Sequence, residues 1–124
     1  MRLLLDTHAA LWWLSADERI GAEAARQLRD DSNHVLLSAA VVWEVAVKRS
    51  LRKLEAPGDF GETMRSAGAH ALAVTVEHAA AVERLPWHHR DPFDRILVAQ
   101  AHIERAAIVS RDPALAPYGV PIVW

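Results

Sequence analysis

Four acidic residues, Asp6, Glu44, Asp94 and Asp112, lie within or beside apolar stretches of the sequence. A carboxylate next to an apolar core is costly unless a cation or hydrogen bonds compensate its charge. Carboxylates that lie close together also raise one another's pKa unless a metal ion neutralises them. Ligand sets made only of oxygen favour Mg²⁺ or Mn²⁺ over zinc. The acids therefore predict a site for one of these ions and, with it, phosphodiester hydrolysis.

Simpler roles exist for each of the three aspartates. Asp6 directly follows an apolar run, where it could cap the next helix as well as bind a ligand. Asp91 precedes a proline, the signature of an N-cap, so Asp94 has less reason to serve that helix end. Asp112 also precedes a proline, and taken alone it favours an Asp-Pro turn. The metal prediction therefore depends on the joint pattern rather than on any single acid.

Glu44 is the most anomalous acid, because the helix predicted around it is apolar on nearly every side. A pair with Lys48, one turn further on, would stabilise an exposed helix by only about 0.2–0.5 kcal/mol. That gain is small beside the cost of burying a carboxylate. The two interactions are compatible, with Lys48 at the rim and Glu44 facing a cation.

Neighbouring polar residues could support the acids or bind the substrate. Hydroxyl groups beside the acids could donate hydrogen bonds to them, although capping or turn formation explains these groups as well. Basic side chains could hold the phosphates of a nucleic acid, although lone basic residues more commonly lie solvated on the surface. The candidates beside the carboxylates are Thr7, Ser38, Asp91 and Ser110. The basic candidates are Lys48, Arg49, Arg95 and Arg111.

The seven histidines and five tryptophans give weaker signals. His88 and His89 are adjacent, so their side chains are expected to point apart, and no histidine pair has the i,i+4 spacing of a helical zinc site. A zinc or general-base interpretation is therefore the less favoured one. Trp12 and Trp13 cannot face the same way on a helix, so one is predicted in the core and the other in an exposed partner-binding patch.

Short apolar segments that suit buried strands alternate with helical segments along the chain. Strands are predicted at residues 3–5, 35–37, 71–76 and 107–109, with a terminal one at 121–124. Helices are predicted at residues 8–14, 22–31, 39–52, 60–67, 77–85 and 92–105. This alternation predicts βαβ units and a mostly parallel sheet with helices on both faces. Such sheets bind ligands beyond the carboxyl ends of their strands, where Asp6 and Asp112 are expected.

The composition predicts one domain spanning residues 1–124, since 52% of the residues are hydrophobic and supply an ample core. There is no cysteine, which excludes disulfides and suits a reducing compartment. The first apolar run stops at Asp6, too early for a signal peptide, and no stretch is long enough to cross a membrane. A cytoplasmic location is expected. Because the net charge is −2, local arginines and a metal would have to attract a nucleic acid.

Five segments, in order along the chain, resemble PIN-domain ribonucleases, in particular the VapC-type toxins of bacterial toxin–antitoxin pairs. They are residues 4–8 (LLDTH), 11–14 (LWWL), 38–44 (SAAVVWE), 89–101 (HRDPFDRILVAQA) and 109–112 (VSRD). The resemblance implies a PIN-like three-layer α/β/α sandwich with a central, mostly parallel sheet of four to five strands. It also implies a Mg²⁺-dependent endoribonuclease that acts on RNA, binds a cognate antitoxin and forms a homodimer. The acids carried over from the family pattern are Asp6, Glu44, Asp94 and Asp112.

Two other functions fit acids at strand ends. A Mg²⁺-dependent phosphatase or phosphoacceptor domain would use an aspartate nucleophile, but no second aspartate stands two residues after Asp6. A non-catalytic interaction subunit would use the acids only as caps and ion-pair partners. Metal-dependent hydrolysis of RNA would leave a 5′-phosphate and a 3′-hydroxyl, whereas a metal-free ribonuclease would leave a cyclic phosphate.

Overall fold

The computed structural model describes all 124 residues as alternating strands and helices. The strands are β1 (Arg2–Leu5), β2 (His34–Ser38), β3 (His70–Leu72), β4 (Ala107–Val109) and β5 (Ile122–Val123). The helices are α1 (Thr7–Leu14), α2 (Ala22–Arg29), α3 (Ala39–Ser50), α4 (Phe60–Ser66), α5 (Val76–Ala81) and α6 (Pro92–Glu104). Two 3-10 helices, Val82–Arg84 and Pro113–Tyr118, complete the chain. None of the helices combines the length and apolar character needed to cross a membrane.

All strand pairs of the sheet are parallel, and the strands lie in the order β3-β2-β1-β4-β5. β1 is central, with Leu4 in register with Leu36 of β2 on one side and Ile108 of β4 on the other. Parallel neighbours need crossover connections, and the helices in these crossovers cover both faces of the sheet. The predicted three-layer α/β/α sandwich is confirmed, and its sheet has five strands.

The centre of the sheet is its most deeply buried part. Leu3, Leu4, Leu5 and Ile108 are fully buried, as expected for strands covered on both faces. Burying a leucine side chain stabilises a fold by about 1.5–3 kcal/mol, so this core holds β1 and β4 firmly side by side. Replacing Leu4 by alanine would cost roughly 2–5 kcal/mol of stability.

Polar residues at the carboxyl edge of the sheet begin the segments that follow. Asp6 and Ser38 accept hydrogen bonds from amides in the first turns of α1 and α3. Asp112 accepts one at the start of the second 3-10 helix. The predicted N-cap roles of Ser38 and Asp91 are confirmed, and α6 begins with a proline at its first position.

Three sequence predictions differ from the structure. β3 ends at Leu72 rather than at residue 76, because Thr75 forms a capping box that starts α5 directly after it. The helix predicted at residues 77–85 divides into α5 and a 3-10 turn before a proline. Trp12 is buried, as predicted for one of the adjacent tryptophans, but Trp13 is half-buried against the core rather than part of an exposed patch.

Candidate metal centre

The candidate site lies where β1 and β4 end side by side at the carboxyl edge of the sheet. The connection from β1 leads to β2 on one side, while β4 lies on the other side of β1. In open α/β sheets such a switch in strand order opens a crevice for ligands. The Asp6 amide donates to the Val109 carbonyl at 3.1 Å, and Ser110 and Asp112 follow β4. The sheet therefore brings acids from opposite ends of the chain to one edge.

The most compact group at this edge is the acid–histidine cluster, formed by His89, Asp94 and Asp112. The Nε2 atom of His89 lies 3.0 Å from Oδ2 of Asp94 and 3.2 Å from Oδ2 of Asp112. The ligand atoms of the three side chains all lie within 4.8 Å of one another. Each comes from a different segment: the loop before α6, the first turn of α6, and the segment after β4.

His89 is the member of this cluster that sequence analysis disfavoured. Its Nδ1 atom accepts the backbone N–H of Asp91 at 3.1 Å, so the neutral ring carries its proton on Nε2, directed at the two carboxylates. His88 packs edge-on against Tyr118 instead, with ring centroids 5.0 Å apart. The adjacent histidines do point apart, but one of them points into the site. The signal available in the sequence was a histidine two residues before a helix N-cap, which can fold back onto the cap's amide.

The acids of the site oppose one another's ionisation. Burial raises the pKa of Asp94 to about 7, and the charges of Asp91, Asp6 and Glu44 add to the rise while His89 opposes it. Burial also raises the pKa of Asp6. Hydrogen bonds from Ser110 and the Ala9 amide counter that rise, and the charge of Asp112 adds to it. Asp6 and Glu44 lie outside the acid–histidine cluster, but their charges act on its carboxylates.

Glu44 projects from the middle of α3 and is buried despite its charge. Its Oε1 atom accepts a hydrogen bond from Thr7 Oγ1 at 2.6 Å, and its Oε2 atom pairs with Lys48 Nζ at 2.5 Å. That pair raises the pKa of Lys48, chiefly through the hydrogen bond. The Lys48 pair predicted from the sequence is present, and Thr7 contacts a carboxylate as predicted for it. Lys48 therefore stays charged and is paired with Glu44.

Two further polar residues organise the acids. Ser110 Oγ accepts the backbone N–H of Asp112 at 3.0 Å and also bonds to Asp6, so it links the acids that follow β1 and β4. Asp91 Oδ1 accepts the amides of Phe93 and Asp94, which caps α6 and sets the direction of its first turn. Asp91 is therefore a cap beside the site, and its charge acts on Asp94.

Ser38 and Arg95 do not lie where the sequence analysis expected. Ser38 is fully buried and donates to Gln100 Oε1 at 2.6 Å, so its hydroxyl contacts no acid of the site. Arg95 is buried beneath Trp87, with its guanidinium carbon 3.9 Å from the ring centroid. Its nitrogens donate to backbone carbonyls between residues 82 and 89. A buried guanidinium must satisfy its donors inside the protein, and those of Arg95 hold the loop that carries His89.

Comparison with known proteins places the chain in a family. A family model described as the PIN domain matches residues 3–120. No curated protein sequence matches the chain. Among solved structures, VapBC2 from Rickettsia felis, bound to a DNA fragment from its promoter, has a TM-score of 0.71 at 11% identity. That match covers 98% of this chain and 97% of the other.

Two other solved structures have the same fold. DNA-bound VapBC from Salmonella typhimurium has a TM-score of 0.71 at 14% identity, covering 98% of this chain and 96% of that one. Mycobacterium tuberculosis VapC20, described as a Sarcin-Ricin loop cleaving toxin, has a TM-score of 0.66 at 15% identity and covers 95% of both chains. At these identities the structural matches establish the fold, and the family model spans nearly the whole sequence. The chain belongs to the PIN domain family.

Proposed function

We propose that this protein is a Mg²⁺-dependent endoribonuclease and the toxin of a toxin–antitoxin pair. One observation carries the nuclease proposal: acids from separate segments meet at the carboxyl edge of the sheet, where burial, reinforced by the charges of neighbouring acids, raises the pKa of Asp94 to about 7. Carboxylates that repel one another keep raised pKa values unless a cation neutralises them, and strongly shifted pKa values cluster at functional sites. Membership of the PIN domain family supports the same activity.

The residues present suit a hard divalent ion. The donors are carboxylate oxygens, which Mg²⁺ and Mn²⁺ prefer, and no cysteine is available to favour a softer metal. Asp6, Asp94 and Asp112 would hold the ion, with Glu44 binding directly or through water. When bound, such an ion supplies Lewis-acid polarisation of a phosphoryl oxygen and a more acidic water.

The remaining polar residues would keep the carboxylates in position for that ion. Thr7 and Lys48 each hold one oxygen of Glu44, which limits its side chain to one orientation. Ser110 ties Asp6 to the segment carrying Asp112. His89 directs an N–H at Asp94 and Asp112, and this partial positive charge offsets their repulsion.

RNA, a cognate antitoxin and a second copy of the chain are the proposed partners. The description of VapC20 as a Sarcin-Ricin loop cleaving toxin supports RNA as the substrate. The crystallised VapBC complexes, matched over nearly their full length, support an antitoxin partner. We propose that residues 1–124 act as one PIN domain in the cytoplasm.

The decisive experiment incubates the purified chain with single-stranded RNA and follows cleavage on a denaturing gel. Cleavage should stop with EDTA and return with Mg²⁺ or Mn²⁺, and the products should carry 5′-phosphate and 3′-hydroxyl ends. A cyclic phosphate, or cleavage that persists in EDTA, would contradict the metal mechanism. A trapped aspartyl-phosphate would instead assign a phosphoacceptor domain. Heat exchange on titration with Mn²⁺ provides a readout that does not depend on the RNA.

A further inference from the structure

A hollow of about 790 Å³ adjoins the candidate metal centre and has a basic wall. His8, Arg19 and Arg111 line this wall together with Trp12, and the acids Asp17 and Glu55 also line the hollow. Arg111 directly precedes Asp112, and the charge of His8 acts on Asp6, so two residues of this wall are close to the acids. Its far side is formed by the segment between α3 and α4 and by Thr63.

Trp12 holds the two arginines of this wall. It is only 7% exposed, and its ring lies 4.5 Å from the guanidinium carbon of Arg111 and 4.8 Å from that of Arg19. A guanidinium that stacks on an aromatic ring uses its flat face, which leaves the N–H groups in its plane available to a ligand. Holding a long side chain in this way also reduces the entropy lost when it binds a ligand.

Arg111 is the basic residue of this region that has no acidic partner. Its guanidinium takes part in no ion pair or side-chain hydrogen bond of the structure, although Asp112 is its sequence neighbour. Arg19 is different, because its Nε and Nη2 atoms donate to both carboxylate oxygens of Asp17, at 3.0 and 2.8 Å. Lys48 is paired with Glu44, and Arg95 is buried in the protein.

We propose that Arg111, stacked on Trp12, forms a phosphate-binding subsite for the RNA nucleotide next to the cleaved bond; this inference rests on the proposed nuclease function. A chain with a net charge of −2 and an acidic centre repels a polyanion unless fixed cations act close to that centre. The planar fork of arginine matches two oxygens of one phosphate.

The test measures RNA binding without cleavage. A fluorescently labelled single-stranded RNA of 12 nucleotides is titrated with the full chain in EDTA, and fluorescence anisotropy is recorded over a series of salt concentrations. Arg111→Gln should weaken binding about fivefold at low salt. It should also lower the slope of log K against log salt by about 0.7, the loss of one phosphate contact on a single strand. The RNA affinity of Arg111→Lys should lie between that of the wild type and that of the glutamine variant.

Arg29→Gln is the matched control, because Arg29 is an exposed arginine at the end of α2, near the opposite edge of the sheet where β2 begins. It should leave the affinity and the salt slope unchanged. Equal RNA affinities and equal salt slopes for Arg111→Gln and the wild type would contradict the proposed phosphate subsite and would favour a protein partner for the hollow. Because this readout needs no cleavage, loss of the subsite and failure of the proposed nuclease function give separate results.

Discussion

Two histidines of this protein, His78 fully buried and His89 half-buried, make the same backbone hydrogen bond but face different carboxylates. The Nδ1 atoms of His78 and His89 accept the amides of Thr75 and Asp91, so both rings direct Nε2 at acids. His78 meets Glu104 at 2.9 Å, and Arg2 shares that acid. His89 instead meets two acids that no arginine shares.

The two neighbourhoods affect their acids in opposite directions. The hydrogen bond from His78 lowers the pKa of Glu104, with help from Arg2, so that acid is compensated within the protein. Burial and neighbouring acids raise the pKa of Asp94 to about 7, so that acid still needs positive charge. A compensated network stabilises the fold, whereas an uncompensated one is a candidate functional site. The three predictions below test this contrast, beginning with the largest expected effect.

Asp94→Asn should lower RNA cleavage by at least about 100-fold, because it removes a proposed metal ligand. In EDTA at pH 8 the same change should raise the free energy of unfolding by on the order of 1 kcal/mol, because it removes a buried charge from a repulsive cluster. Gel assays and urea denaturation measure the two effects. Full activity, or a less stable metal-free variant, would count against this role for Asp94.

His78→Ala and His89→Ala should have opposite effects although they remove the same hydrogen-bonding pattern. The first should destabilise the protein by about 2–3 kcal/mol, since it empties a fully buried site and removes a helix cap, while cleavage by the folded protein persists. The second should cost less than about 1 kcal/mol in stability, because the contacts of His89 with Asp94 and Asp112 are partly exposed. Its cleavage and Mn²⁺ affinity should fall about tenfold. Equal losses of stability in His78→Ala and His89→Ala would contradict the distinction between a structural histidine and a histidine of the candidate site.

The contribution of Asp94 to the stability of the metal-free protein should fall as the pH rises from 4 to 7. The pKa of Asp94 is about 7 in the folded state, above its ordinary value of 3.8, so in this window the folded state keeps a proton that the unfolded state releases. The difference between the wild type and Asp94→Asn in EDTA isolates this contribution, roughly 1–2 kcal/mol between pH 4 and pH 8. Saturating Mg²⁺ should reverse this dependence of stability on pH. Parallel curves of stability against pH for the wild type and Asp94→Asn in EDTA would contradict the predicted contribution of Asp94.

Much of the fold followed from local signals in the sequence. Short apolar runs marked the strands, and Ser38 and Asp91 marked helix starts where the structure has them. The boundaries of β3 and α5 were wrong because a threonine–histidine capping box outweighed the apolar run that preceded it. Once the sheet was predicted to be parallel, the position of Asp6 at its carboxyl edge followed directly.

The sequence by itself determined the order of the elements, the parallel sheet and the acids at its edge, because apolar periodicity and capping act over a few residues. Only the tertiary structure decided which polar side chains meet. It directed His89 rather than His88 at the acids, buried Arg95 beneath Trp87 and left Arg111 stacked but unpaired. Such contacts join residues far apart in the chain, and their partners depend on how whole helices and strands pack.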